Sequence, residues 1–214
     1  MATQRPEKGE GRRERRQNIK KDNRGPSRPK LVSDEELARV TVGERKPHNG
    51  TIFLAEYNRA WPVLFEREAR RIKAVLGPQA LLVEHVGSTS VPGLCAKPIL
   101  DILLVVPDSA KETDYLPALR RAGYTLRTRE PDWYEHRMLK GPDTDINLHV
   151  FSPRAPEITR MLRFRDWLRE QEQDRLLYER EKRRLAAKTW RHVQHYADAK
   201  SAVVEEILSR ALKK

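Results

Sequence analysis

The sequence predicts an α/β protein of the α+β kind: a mixed β-sheet core with a helical C-terminal cover, behind a basic N-terminal tail. Three observations lead there. Leu81–Val86 and Ile99–Val106 are nearly continuous apolar runs of strand length, the pattern of strands covered on both faces. Asp145-Ile146-Asn147-Leu148-His149-Val150-Phe151 alternates polar and apolar, which is strand periodicity with one buried face. From Glu157 onward, apolar residues recur at helical spacing almost to the end of the chain.

Composition bounds the answer. At 214 residues the chain suits one domain of ordinary size plus an extension. No apolar run approaches the roughly 20 residues that cross a bilayer, so no membrane partner is expected. No apolar stretch follows the basic N-terminus, so its arginine pairs do not read as an export signal. Cys95 is the only cysteine, which excludes an intrachain disulfide and predicts a reducing, cytoplasmic setting.

Residues 1–30 hold eleven Lys and Arg against four acids, +7 of the formal +12. Ile19 is their only bulky aliphatic residue and they contain no aromatic. Such a segment cannot bury enough surface to offset its ordering entropy, so a disordered tail is expected over 1–30, with the folded domain over 31–214. The tail could hold RNA or an acidic partner through counterion release, or simply solvate the chain. No aromatic is interleaved with its charges to stack on bases.

The elements follow in order. Ser33-Asp34-Glu35-Glu36 is a capping signal for a short helix near 34–40. Ile52–Ala55 reads as a short strand. Trp61-Pro62 opens a helix near 61–76 that stops at Gly77-Pro78, with Val63, Phe65, Ile72, Val75 and Leu76 proposed for its apolar face. After the two central strands, Tyr115–Ala122 reads as a helix stopped by Gly123, and 124–128 and 134–140 read as strands around the Glu130-Pro131-Asp132 turn. Glu157–Gln171, Asp174–Trp190 and Asp198–Leu212 are predicted helices whose many charges form a solvated face.

The candidate chemistry lies between the two apolar strands. Gly87 permits a tight approach, and Ser88 adds a hydroxyl beside amides that can face an anion. Asp101 sits in the returning strand, where an acid is costly unless it is paired or binds a cation. It could also simply bond the turn amides. A phosphate cradle at Gly87, Ser88 and Thr89, with Asp101 on a hard cation such as Mg²⁺, is chemically coherent. Lys97 and Arg137 are candidate phosphate contacts. His85, on a buried strand, reads as a core histidine. His149, flanked on its own face by Asp145 and Asn147, is a candidate for work on an acceptor or a metal.

These residues carry a resemblance. His85-Val86-Gly87-Ser88-Thr89, Val91-Pro92-Gly93-Leu94, Lys97-Pro98 and Asp101-Ile102 resemble the hallmark of the GrpB family. Glu56-Tyr57-Asn58-Arg59-Ala60-Trp61-Pro62, Asn147-Leu148-His149-Val150, Leu162-Arg163-Phe164-Arg165-Asp166-Trp167-Leu168 and Tyr196-x-x-x-Lys200 match as well. The resemblance covers about residues 34–212 and implies the nucleotidyltransferase fold. That superfamily's pattern is an apolar residue, Gly, then Gly or Ser, followed seven to thirteen residues later by Asp, apolar, Asp or Glu, apolar. Val86-Gly87-Ser88 and Asp101-Ile102-Leu103-Leu104 fit it except that Leu103 stands where the second acid belongs. The resemblance thus implies a nucleoside triphosphate partner with Mg²⁺ on Asp101 and Asp145, and catalytic roles for Asp101 and His149 in moving a nucleoside monophosphate. The alternative is a binding module on the same fold that performs no transfer.

Overall fold

The computed structural model describes residues 32–44 and 47–212; the tail expected over 1–30 lies outside them. Five strands, β1 (Leu82–Val86), β2 (Leu100–Val105), β3 (Thr125–Glu130), β4 (His136–Lys140) and β5 (Ile146–Phe151), form one mixed sheet in the order β1-β2-β5-β4-β3. The β2–β5 pair is parallel and its neighbours are antiparallel. A parallel pair needs a long crossover. Here α3 (Leu116–Arg121) and the β3–β4 hairpin supply it. This crossover sets the polar residues of β5 beside those of β2.

The helices cover both faces. α1 (Asp34–Val40) begins with the expected capping box: the Ser33 amide donates to Glu36 Oε2 at 2.8 Å and the Glu36 amide to Ser33 Oγ at 3.2 Å. Its exit sets Val42 against the β3 edge, where the Val42 amide donates to the Arg127 carbonyl at 2.8 Å. α2 (Ala60–Leu76) and α3 bury Trp61, Ala69, Ile72, Leu76, Leu116 and Leu119 on one sheet face, against Ile102, Leu104, Leu139, Ile146, Leu148 and Val150. On the other face Val86, Leu103, Val105 and Phe151 meet Ile158, Met161 and Leu162 of α4 (Pro156–Glu170). α5 (Glu172–Ala186), α6 (Val193–Ala199) and α7 (Ser201–Ala211) finish the cover, and Leu168 of α4, Tyr178 of α5, and Val203 and Ile207 of α7 pack on Val91 and Leu94. The loop between β1 and β2 is therefore clamped between sheet and cover.

Three expectations are corrected. Val63 is 68% exposed. It lies two residues from Trp61, about 200° around the helix, so it cannot share the buried stripe. Ile52–Ala55 is not a strand. Its backbone bonds go to Ala186 and Ala96, and with no continuous strand alongside, the ladder shrinks to isolated bridges. The helix expected over 198–212 is two helices meeting at Lys200, because Tyr196 packs with Ile52, Leu185 and Ala186 while Val203 and Ile207 serve the other cluster.

The buried stripe of α2 also contains Glu68, fully covered. Tyr124 Oη donates to its Oε2 at 2.8 Å, and Arg71 lies at 3.5 Å. Ile72, on the same helix and without exposed surface, is a sensitive point of this interface. Ile72→Ala is expected to cost about 3 kcal/mol, read as a lower urea midpoint with unchanged slope. Val63→Ala should stay within about 0.5 kcal/mol of the parent.

Candidate functional site

The site begins with backbone geometry. Val86 and Asp101 are cross-strand partners in the β1–β2 pair, and the chain leaves β1 through Gly87 at φ 67°, ψ −171°. That region is open essentially to glycine alone. A Cβ on Gly87 would stand 2.3 Å from Asp101 Oδ2 and 2.9 Å from Asp101 Cβ. The turn thus lies directly on the acid. Ser88–Ser90 form a 3₁₀ turn whose leading amides have no partner within the turn itself. Ser90 Oγ donates to the Gly87 carbonyl at 2.6 Å, and Arg169 of α4 donates twice to the Ser90 carbonyl, at 3.1 and 2.9 Å.

The three cradle residues separate here. Gly87 and Ser88 remain partly exposed beside Asp101. Thr89 is buried, and its hydroxyl is 3.0 Å from His85 Nε2, so its side chain is spent on the core rather than on a phosphate. His85 stacks on Phe65 with centroids 4.8 Å apart. Burial pushes its pKa down to about 4, aided by Arg169 and Arg165 and opposed by Asp101. It is a neutral core histidine.

Asp101 faces β5. Asn147 Nδ2 donates to its Oδ1 at 2.8 Å, and His149 Nε2 stands 3.5 Å from the same oxygen. Burial raises the Asp101 pKa, but the His149 ring, the Asn147 amide and the Lys97 ammonium outweigh it and hold the carboxyl at about 2. His149 is backed by a second histidine: its Nδ1 is 3.1 Å from His136 Nε2, and His136 Nδ1 is 2.6 Å from Glu130 Oε2. Leu103, on the same face, is fully buried under α4 with Val86, Val105 and Phe151. The position of the second acid has become core.

Arg137, an expected phosphate contact, points elsewhere. Arg137 pairs with Val150 across the β4–β5 ladder, which places it on the α2/α3 face, opposite Asp101. There its Nε donates to Glu112 Oε1 at 2.5 Å. Asp145 stands just before β5 and accepts from Lys140 Nζ at 2.8 Å, with its side chain 58% exposed. Its charge still reaches Lys97 beside Asp101.

Lys97 does reach the site, and it brings company. Its ammonium lies 6.0 Å from the Tyr196 ring centroid and that of Lys200 lies 4.8 Å from the same ring. Lys182 is buried and donates to the Cys95 carbonyl. Burial, then the like charge of Lys200, pushes Lys97 down to about 8 and Lys182 down to about 7; Asp101 pulls both the other way. Lys182, Lys200, His136 and Glu130 had no assigned role from sequence. Tyr178 and Lys182, like Tyr196 and Lys200, stand four residues apart, a spacing that fits packing and binding equally. Glu130 read as a turn residue, and only its pairing with His136 across the hairpin brings the two together.

The profile of the GrpB protein family matches residues 51–210. The chain belongs to the GrpB family. A UPF0157 protein of Halalkalibacterium halodurans is 69% identical over 179 residues, covering 84% of this chain and 92% of its own. One from Streptomyces coelicolor is 47% identical over 75% of this chain and 84% of its own. The crystal structure of the conserved GrpB protein of Enterococcus faecalis superposes with TM-score 0.67 at 34% identity, covering 75% of this chain and 98% of that one. The GrpB match spans every residue of the turn, the Asp101 network and the lysine group.

Gly87→Ala tests the contact on which this site is built. Gly93 also has positive φ, but a Cβ added there would meet nothing within 4 Å, so Gly93→Ala isolates the backbone strain, about 1 kcal/mol. Gly87→Ala adds displacement of the Asp101 carboxylate and is expected to cost about 2 kcal/mol or more beyond that control, read by chemical denaturation.

Proposed function

We propose that the opening between the Gly87–Ser88 turn and Asp101 binds the phosphates of a nucleoside triphosphate. The observation that carries this reading is the grouping of three ammonium groups, Lys97, Lys182 and Lys200, close enough to sense one another, with Lys97 also sensing Asp101. Two of the three are held where their charged form is disfavoured, and an incoming anion reverses that penalty. A hard cation such as Mg²⁺ takes one or two carboxylates and completes its shell with phosphate oxygens and water. Asp101 is the residue that would hold it, and when bound it would supply charge neutralisation on the phosphates. Asp101 stays ionised throughout the physiological range, and Asn147 orients it.

Transfer of a nucleoside monophosphate is a second reading, favoured by His149 beside Asp101. Leu103 weighs against it, since a buried leucine offers the reacting phosphate no second carboxylate. Incubation with labelled triphosphates and metal, comparing the parent with Asp101→Asn, separates the two. Thermal stabilisation by triphosphate without transfer supports binding; absence of both overturns the whole reading. Residues 1–30 are assigned electrostatic attachment to RNA or an acidic surface, expected to weaken steeply with salt and to be lost on deletion of the tail.

The lysines set the pH dependence of binding. Both must carry their proton to meet the anion, so affinity is full below about 7 and falls as pH rises through Lys182 and then Lys97 near 8. Lys97→Ala should weaken triphosphate binding by about tenfold at pH 7 and flatten the decline above pH 8, read by titration calorimetry.

A further inference from the structure

We propose that the nucleoside of the triphosphate lies across β5 and β4, on the sheet face that α4 partly covers, with its base on the Met138 side chain. The proposal rests on the triphosphate reading above and assigns the part of that ligand which the turn and the lysines do not touch.

The sheet beside Asp101 is closed on one side and open on the other. Toward β1, Val86 and Leu103 are buried under α4, and Arg169 ties the Ser90 carbonyl to the same helix. Toward β3 the register runs on from strand to strand: Asp101 stands beside Asn147, Leu103 beside His149, His149 beside Met138 and Met138 beside Thr128. Cross-strand partners share a face, so Asn147, His149, Met138 and Thr128 all lie on the Asp101 side of the sheet. All four keep part of their surface. Leu126, Leu139, Leu148 and Val150, which belong to the opposite face, are buried against α2 and α3. A ligand whose phosphates sit at the turn therefore meets a continuous shelf beyond Asp101.

The shelf has the length the nucleoside needs. Neighbouring strands lie about 4.8 Å apart and successive same-face residues about 6.7 Å, which puts Met138 roughly 12 Å from Asp101. With the phosphates held at the turn, the sugar lies over Asn147 and His149, and the base arrives over Met138.

Its chemistry fits the same division. Asn147 is occupied with Asp101, and His149 has both ring nitrogens beside protein atoms, Nδ1 at 3.1 Å from His136 and Nε2 at 3.5 Å from Asp101. These two form a fixed floor. Met138 is the apolar member of the row, and a thioether packs favourably on an aromatic ring through an adaptable side chain. Every base offers such a ring face. Thr128, one strand further, adds a hydroxyl that both donates and accepts.

The test compares ATP with inorganic triphosphate, each with Mg²⁺, on the full chain. ATP should bind about fivefold tighter or more, and Met138→Ala should remove most of that margin while leaving inorganic triphosphate within about twofold. Methyl-¹³C methionine labelling reads the contact without any substitution. The chain has three methionines, and the resonance missing from Met138→Ala identifies the one concerned. In the parent that resonance should move upfield with ATP, as a methyl under a ring face does, and stay in place with inorganic triphosphate. A Met138 methyl that ignores bound ATP overturns the shelf and leaves the triphosphate reading standing. So does a Met138→Ala protein that weakens both ligands equally or neither. Failure of both ligands to bind the parent overturns both readings.

Discussion

The contact between a bare glycine and a carboxylate organises this molecule. Gly87 lies so close to Asp101 that no side chain fits between them, and its backbone conformation admits none either. The close approach keeps the acid at the mouth of the turn. It also limits water around the carboxylate, so Asp101 depends on neighbours for its charge: Asn147 on the next strand, His149 two residues on, and Lys97 from the loop that the turn begins. α4 closes the arrangement from outside, with Arg169 on the Ser90 carbonyl and Arg165 on both Glu84 and the His85 carbonyl. Each of these groups would be mis-aimed if the turn stood off by the width of a methyl.

The two faces of the sheet divide the labour. The α2/α3 face is aliphatic, and its one deeply buried acid, Glu68, is satisfied by Tyr124 and Arg71. The α4 face is apolar at Val86, Leu103, Val105 and Phe151, then turns polar toward Asp101, Asn147 and His149. Leu103 marks the border. Filling that position with an aliphatic side chain gains packing under α4 and removes the oxygen that a two-carboxylate centre would use. Nearby, Lys97, Lys182 and Lys200 add positive charge that Asp101 partly offsets, and none of them supplies a metal-ligand oxygen. Behind the acid, Glu130, His136 and His149 run as a chain of close ring and carboxylate contacts.

Local patterns made most of the architecture readable from the chain alone. The strands at 82–86, 100–105 and 146–151 announced themselves by period and apolar continuity, because each needs only its own side chains to define which face is buried. The capping box at Ser33, the stop at Gly77 and the long GrpB-like motif around Gly87 are equally local. So is the grouping of Asn147 with His149, which follows from strand alternation. For the same reason the Gly87–Ser88 turn and Asp101 could be paired on paper: one hairpin-like reversal joins them.

What only the tertiary structure decided depends on which segments become neighbours. Arg137 and Thr89 looked like phosphate contacts by type, yet the β4–β5 register turns Arg137 to Glu112 on the far face, and Thr89 spends its hydroxyl on His85. Lys182 comes from α5 and Lys200 from the joint between α6 and α7, and they meet Lys97 only because the helical cover folds back over the β1–β2 loop. Glu130, His136 and His149 belong to three strands, and their chain of hydrogen bonds exists only in the register that the β3–β4 bulge and the crossover impose. Periodicity reports the burial a residue requires from its own segment. Which charge or ring stands opposite is set by packing between segments, and no local pattern encodes it.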